Sequence, residues 1–150
     1  MNTVMSIPTA FRPIAPEPTA PPGATLLFHG AAVDDRGRAA AVLTVTAHPL
    51  PTAYRASAGI LTELVDVMGS KAGARDLRRV DLPCGPAVVG IGVDRHAVGL
   101  VATMTATVPD ADGRGVLSLV LAVPGARDWA GWCGVMTGVM RGLRFGRGRR

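Results

Sequence analysis

Between residues 97 and 108 the chain alternates almost without interruption. Val98, Leu100, Ala102, Met104, Ala106 and Val108 fall on one side of a two-residue period, and Thr103, Thr105 and Thr107 on the other. Successive side chains of an extended strand point to opposite faces, so this stretch reads as a strand with one buried face and one partly wetted face. Residues 109–115 (PDADGRG) supply a hairpin turn with Asp-Gly inside it. Residues 116–123 return with Leu117, Leu119 and Leu121 facing inward. A chain that carries this pair is committed to an antiparallel sheet.

Other segments extend the sheet. Residues 24–32 (ATLLFHGAA) and 38–48 (RAAAVLTVTAH) read as two strands joined through Asp34-Asp35-Arg36-Gly37, which has the Asp and Gly of a tight turn. Residues 76–82 (DLRRVDL) and 87–93 (AVVGIGV) read as short strands around a turn at Pro83-Cys84-Gly85-Pro86, with a second turn expected at Asp94-Arg95.

Two stretches change period. Thr52 is placed to cap a helix over residues 52–68, where Ala53, Ile60, Leu61, Leu64, Val65 and Met68 share one side and Gly69-Ser70 stops it. Residues 128–143 carry the clearer helical stripe: Trp129, Trp132, Cys133, Met136, Val139, Met140 and Leu143. Asp128 suits its N-cap and Arg141 and Arg144 suit the negative end of its dipole. Gly131, Gly134, Gly138 and Gly142 weaken the helix by about 1 kcal/mol each relative to Ala. Packing has to offset that, or the glycines admit a close backbone neighbour.

Runs of strands with segregated helices define an α+β class. The expectation is a mainly antiparallel sheet of about six strands packed by two helices, sandwich-like in the α/β/α sense. Residues 1–23 form a proline-rich N-terminal arm outside the core, because Pro8, Pro13, Pro16, Pro18, Pro21 and Pro22 favour extended chain without ladder hydrogen bonds. Residues 24–145 form the single domain and residues 146–150 a basic tail.

Charge follows the same division. Arg141, Arg144, Arg147, Arg149 and Arg150 carry the whole net charge of +5, and residues 1–140 balance eleven bases against eleven acids. Such a tail neutralises phosphates or keeps a neutral body soluble. Aromatic residues are few, which leaves little platform for stacked bases. Nothing in the first twenty residues has the charged and apolar regions of a signal peptide, and no run of eighteen apolar residues occurs, so a cytoplasmic chain with no membrane span is expected. In that compartment Cys84 and Cys133 read as free thiols.

No motif points to a cofactor. His29, His48 and His96 share no metal-ligand spacing, Asp110, Asp112 and Gly113 begin a calcium-like loop that no further ligand completes, and Gly90-Ile91-Gly92 lacks the third glycine of a dinucleotide fingerprint. Cys84, in a rigid turn, is the one candidate nucleophile, with no neighbouring group in sequence to activate it. Trp129 and Trp132, three residues apart, share a face and serve either as core anchors or as a binding surface.

The hairpin of residues 24–48, the exit Ala47-His48-Pro49-Leu50-Pro51, the approach Leu82-Pro83-Cys84-Gly85-Pro86-Ala87 and the ending from Asp128-Trp129 to Gly142-Leu143-Arg144-Phe145 together resemble the PsbP-like superfamily, which includes the bacterial LpqN-like proteins. The resemblance spans residues 24–145 and implies an α/β/α sandwich serving as a non-catalytic binding or accessory module. Members are often exported or lipid-anchored; this sequence shows neither a signal nor a lipobox cysteine. The function expected is a non-enzymatic protein-binding accessory or adaptor domain, with Trp129, Trp132, Arg141, Arg144, Arg147, Arg149 and Arg150 as binding residues. A thiol-dependent enzyme using Cys84 and a nucleic-acid-binding accessory protein acting through the tail are the alternatives.

Overall fold

The structure, a computed structural model, describes residues 3–15, 17–49, 76–96, 99–110 and 115–146. The expected helix over 52–68 lies outside them, as do Arg147, Arg149, Arg150, Asp112 and Gly113. The described elements are β1 (Thr3–Val4), β2 (Arg12–Pro13), β3 (Thr25–Val33), β4 (Ala39–Pro49), β5 (Asp76–Leu82), β6 (Gly85–His96), β7 (Gly99–Pro109), β8 (Gly115–Pro124), α1 (Trp129–Gly142) and β9 (Arg144–Phe145).

Seven strands form one sheet in the order β2-β3-β4-β8-β7-β6-β5, every neighbouring pair antiparallel. The β3–β4 hairpin is built first in sequence. The chain then enters the sheet at its far edge and walks inward from β5 to β8, which pairs with β4. β1 and β9 make a separate two-stranded ladder, Thr3 opposite Phe145 and Val4 opposite Arg144, tying the two ends of the described chain together.

The register puts Ala41, Leu43 and Val45 of β4, Leu117, Leu119, Leu121 and Val123 of β8, and Ala102, Met104, Ala106 and Val108 of β7 on one face. All are buried, and Met136, Val139, Met140 and Leu143 of α1 complete this core. The alternation of 97–108 therefore holds for the inner residues, whereas Leu100 remains 47% exposed. On the opposite face Thr103 and Thr105 are half-buried and Thr107 is buried.

An α+β sandwich of six strands packed by two helices is corrected to a mainly antiparallel β architecture: seven strands, a small second ladder, and one helix among the described residues. The strands outgrew their sequence signals for physical reasons. β6 runs twelve residues, through Asp94 and Arg95, where a turn was expected. Gly90 and Gly92 stay inside the ladder opposite Thr105 and Thr103, β-branched residues that favour extended chain, and the Thr103 hydroxyl donates to the Gly92 carbonyl at 3.4 Å. β3 does not alternate in sequence because a bulge between Leu26 and Phe28 lets both Thr25 and Phe28 share the helix face and leaves Leu27 exposed.

The N-terminal arm is extended, as its prolines require, but it is not outside the core. Arg12 and Pro13 pair with Ala31 and Gly30, Phe11 is only 5% exposed, and Met5 and Ile7 pack against the same cluster. Phe11 meets Trp132 edge-on at 5.7 Å between ring centroids. In a chain so poor in aromatics, one Phe from the arm covers the end of the helix that the sheet alone leaves open. At Gly30 a Cβ would lie 2.7 Å from the Arg12 carbonyl oxygen, so glycine is what allows this strand to approach.

Candidate functional site

α1 positions the tryptophan pair and the first arginines. Trp129, Trp132 and Cys133 are partly buried against the core, above the fully packed Met136, Val139 and Met140. Trp129 and Trp132 thus act first as anchors of the helix. Asp128 occupies the N-cap, and its carbonyl accepts the Trp132 amide at 3.0 Å. Its side chain makes no cap hydrogen bond, because its backbone is left-handed (φ 54°, ψ 40°). The carboxylate leans on the helix instead: a Cβ at Gly131 would lie 2.5 Å from Asp128 Oδ2.

At the other end Arg144 caps the helix more literally than a dipole argument suggests. Its Nη1 donates to the Arg141 carbonyl at 2.9 Å and to the Leu143 carbonyl at 2.7 Å. These are among the acceptors that every helix end leaves without an internal donor. Arg141 is exposed.

Cys84 sits in the β5–β6 turn and packs partly against the core. Burial pushes its thiol above the ordinary value of 9.0, while its own backbone hydrogen bond and the nearby Arg144 guanidinium pull weakly the other way. Cys133 is raised by burial alone. Neither is poised as a thiolate at neutral pH. His29 is held by a 2.8 Å hydrogen bond between its Nδ1 and Thr44 Oγ1 across β3 and β4. Among the described residues no three His, Cys, Asp or Glu side chains cluster as a metal site would require.

Among the concave regions lined by described residues, two have acids and arginines in their walls that no local signal in the sequence brings together. The larger, about 550 Å3, lies between the β3–β4 turn and the start of α1. Asp34, Arg36, Arg38, Ala39 and Ala40 form one wall, and Pro124, Gly125, Arg127, Asp128 and Trp132 the other. Local chemistry shapes both walls. Asp34 Oδ1 accepts the amides of Arg36 and Arg38, each at 2.9 Å, and Gly37 takes a φ of 74°, so the turn is rigid and projects its arginines. Opposite, Gly125, Ala126 and Asp128 all have positive φ. Two of these are not glycine, and each costs about 1–2 kcal/mol in that region. The Gly125 amide donates to the Leu100 carbonyl at 2.7 Å and pins the turn to the sheet.

The smaller hollow, about 270 Å3, lies on the helix face beside the sheet edge, lined by Asp76, Arg78, Val80, Val89, Ile91 and Met104. Next to it Ile91, Val93 and Leu100 are exposed. The register places all three on the helix face, on the part of β6 and β7 that α1 leaves uncovered.

No family model matches this chain, and no curated protein does. A crystal structure of a protein from Bacteroides thetaiotaomicron VPI-5482 is similar in fold, with a TM-score of 0.64 at 9% sequence identity. The match covers 97% of this chain and 45% of that one, so this chain spans less than half of its structural neighbour. Likeness at this identity shows the fold alone.

Proposed function

We propose that this chain is a non-enzymatic accessory domain of the cytoplasm that binds a protein partner along β5. The observation that carries the reading is the free sheet edge. β5 ends the strand order, and among the described residues no strand pairs beyond it. An edge strand presents a row of unpaired amide and carbonyl groups that an added strand can satisfy. The hollow lined by Val80, Val89, Ile91 and Met104 lies beside that edge, where alternate side chains of an added strand reach. Asp76, Arg78, Arg79 and Asp81 interleave charges along β5, which discourages indiscriminate pairing and favours a partner of matching pattern. Among the described residues no helix is long and apolar enough to cross a membrane.

The other two readings have less support. A thiol enzyme needs a thiolate at Cys84, and burial raises that thiol. Nucleic-acid binding through the tail would rest, among the described residues, on Arg141 and on Arg144, one of whose Nη donors is already turned to helix carbonyls.

A photo-cross-linking residue at Arg79, compared with one at the exposed Glu17, tests the proposal in extracts of the native host. A distinct adduct from position 79 is expected, lost on Ile91→Lys in a protein that still folds by circular dichroism. Equal labelling from both positions, or no adduct at 79, would reject strand addition.

A further inference from the structure

We infer that the cleft between the β3–β4 turn and the start of α1 is a binding site for a small organic phosphate. Three arginines, Arg36, Arg38 and Arg127, line one concavity of about 550 Å3, a volume suited to a small ligand. Among the described residues none of the three enters an ion pair or a side-chain hydrogen bond. Two acids, Asp34 and Asp128, share the lining and leave it one positive charge in excess; Asp34 Oδ1 is turned to the Arg36 and Arg38 amides and the Asp128 carboxylate towards Gly131.

The arginines come from two turns that are far apart in sequence, and both turns are held rigidly. That arrangement suits an anion with several acceptor oxygens pointing in different directions. A phosphate monoester has three such oxygens and close to two charges; a carboxylate has two oxygens in one plane. The remaining wall selects an organic group. Trp132, half-buried through its contact with Phe11, stands with Ala39, Ala40 and Pro124 and offers apolar surface beside the guanidiniums. The site is independent of the β5 edge and shares no residue with it.

Calorimetric titration of the full chain with phenyl phosphate and with inorganic phosphate, at ionic strength fixed with chloride, tests the assignment. Phenyl phosphate is expected to saturate a single site with a Kd below about 1 mM, and inorganic phosphate to bind at least about tenfold more weakly. Arg36→Gln and Arg38→Gln, both exposed turn positions, should each weaken phenyl phosphate about tenfold or more. Arg95→Gln, exposed on β6 outside the cleft, should leave binding unchanged. Trp132→Leu, checked for folding by circular dichroism, should remove the preference for the phenyl ester. Absence of saturation, or an equal loss with Arg95→Gln, would overturn the site. Equal affinity for the two phosphates would overturn its organic ligand class.

Discussion

Replacing Gly134 and Gly138 by alanine should stabilise the protein. Both residues lie in the interior of α1 on its exposed side. A Cβ at either position would find no heavy atom within 4 Å, so the substitution meets no clash and breaks no packing. The gain is then the helix-propensity difference, about 1 kcal/mol each, arising from the backbone freedom glycine loses on folding. The positions are four apart, so the two new methyl groups sit about 5–6 Å from one another and do not collide. Near-additivity gives about 2 kcal/mol for the pair. For a domain of this size that corresponds to a rise in Tm of about 4–8 °C. Thermal unfolding by circular dichroism, with urea titration to compare midpoints at constant slope, measures it. Gly131→Ala provides the contrast, because its Cβ meets the Asp128 carboxylate and the Asp128 side chain must move. A double variant with unchanged or lower Tm would refute the reasoning. It would mean that the glycine face of α1 is covered, and that the glycines serve close approach.

Two further outcomes follow from the arm and the thiols. Phe11→Ala removes a buried ring from the core and its edge contact with Trp132; it should cost about 3–5 kcal/mol in urea unfolding, and a change within about 0.5 kcal/mol would show that the arm is not part of the core. Because burial raises Cys84, its folded form holds the proton more tightly than the unfolded chain does. Stability from this group is therefore complete below the ordinary value of 9.0 and declines as pH rises through the folded value. Alkylation of the native Cys84 by iodoacetamide at pH 7 should run slower than that of a free cysteine peptide, and a faster rate would contradict the burial.

How much of this was legible in the sequence varies by element. The β7–β8 hairpin was, because Leu117, Leu119 and Leu121 pair with Val108, Ala106 and Met104 while the threonines fall on the other face, all at the period of the pleat. The β3–β4 turn was, since Asp34 and Gly37 do the work locally. The buried half of α1 was, from the spacing of Met136, Val139, Met140 and Leu143. β6 is longer than its sequence signal, because its glycines weaken a strand in isolation and the β-branched threonines that pair with them lie in another strand. Arg36, Arg38 and Arg127 could not be grouped, since each turn looks unremarkable alone. The Asp34-Asp35-Arg36-Gly37 and Gly125-Ala126-Arg127-Asp128 segments were the signal available, two arginine-bearing turns with no stated relation.

Local chemistry by itself determined which segments pair as hairpins, which faces of β4, β7 and β8 are apolar, where the long C-terminal helix begins and ends, and that the N-terminal prolines stay extended. Those outcomes depend on contacts a few residues apart. The tertiary structure alone decided that the meander enters at the far edge and returns to β4, that Phe11 leaves the arm for the core, and that β5 ends the sheet among the described residues. It also decided that two distant turns face each other across one cleft. Burial of apolar area sets these, and it is non-directional: it specifies that Phe11 be covered without specifying, in the sequence, that Trp132 should cover it.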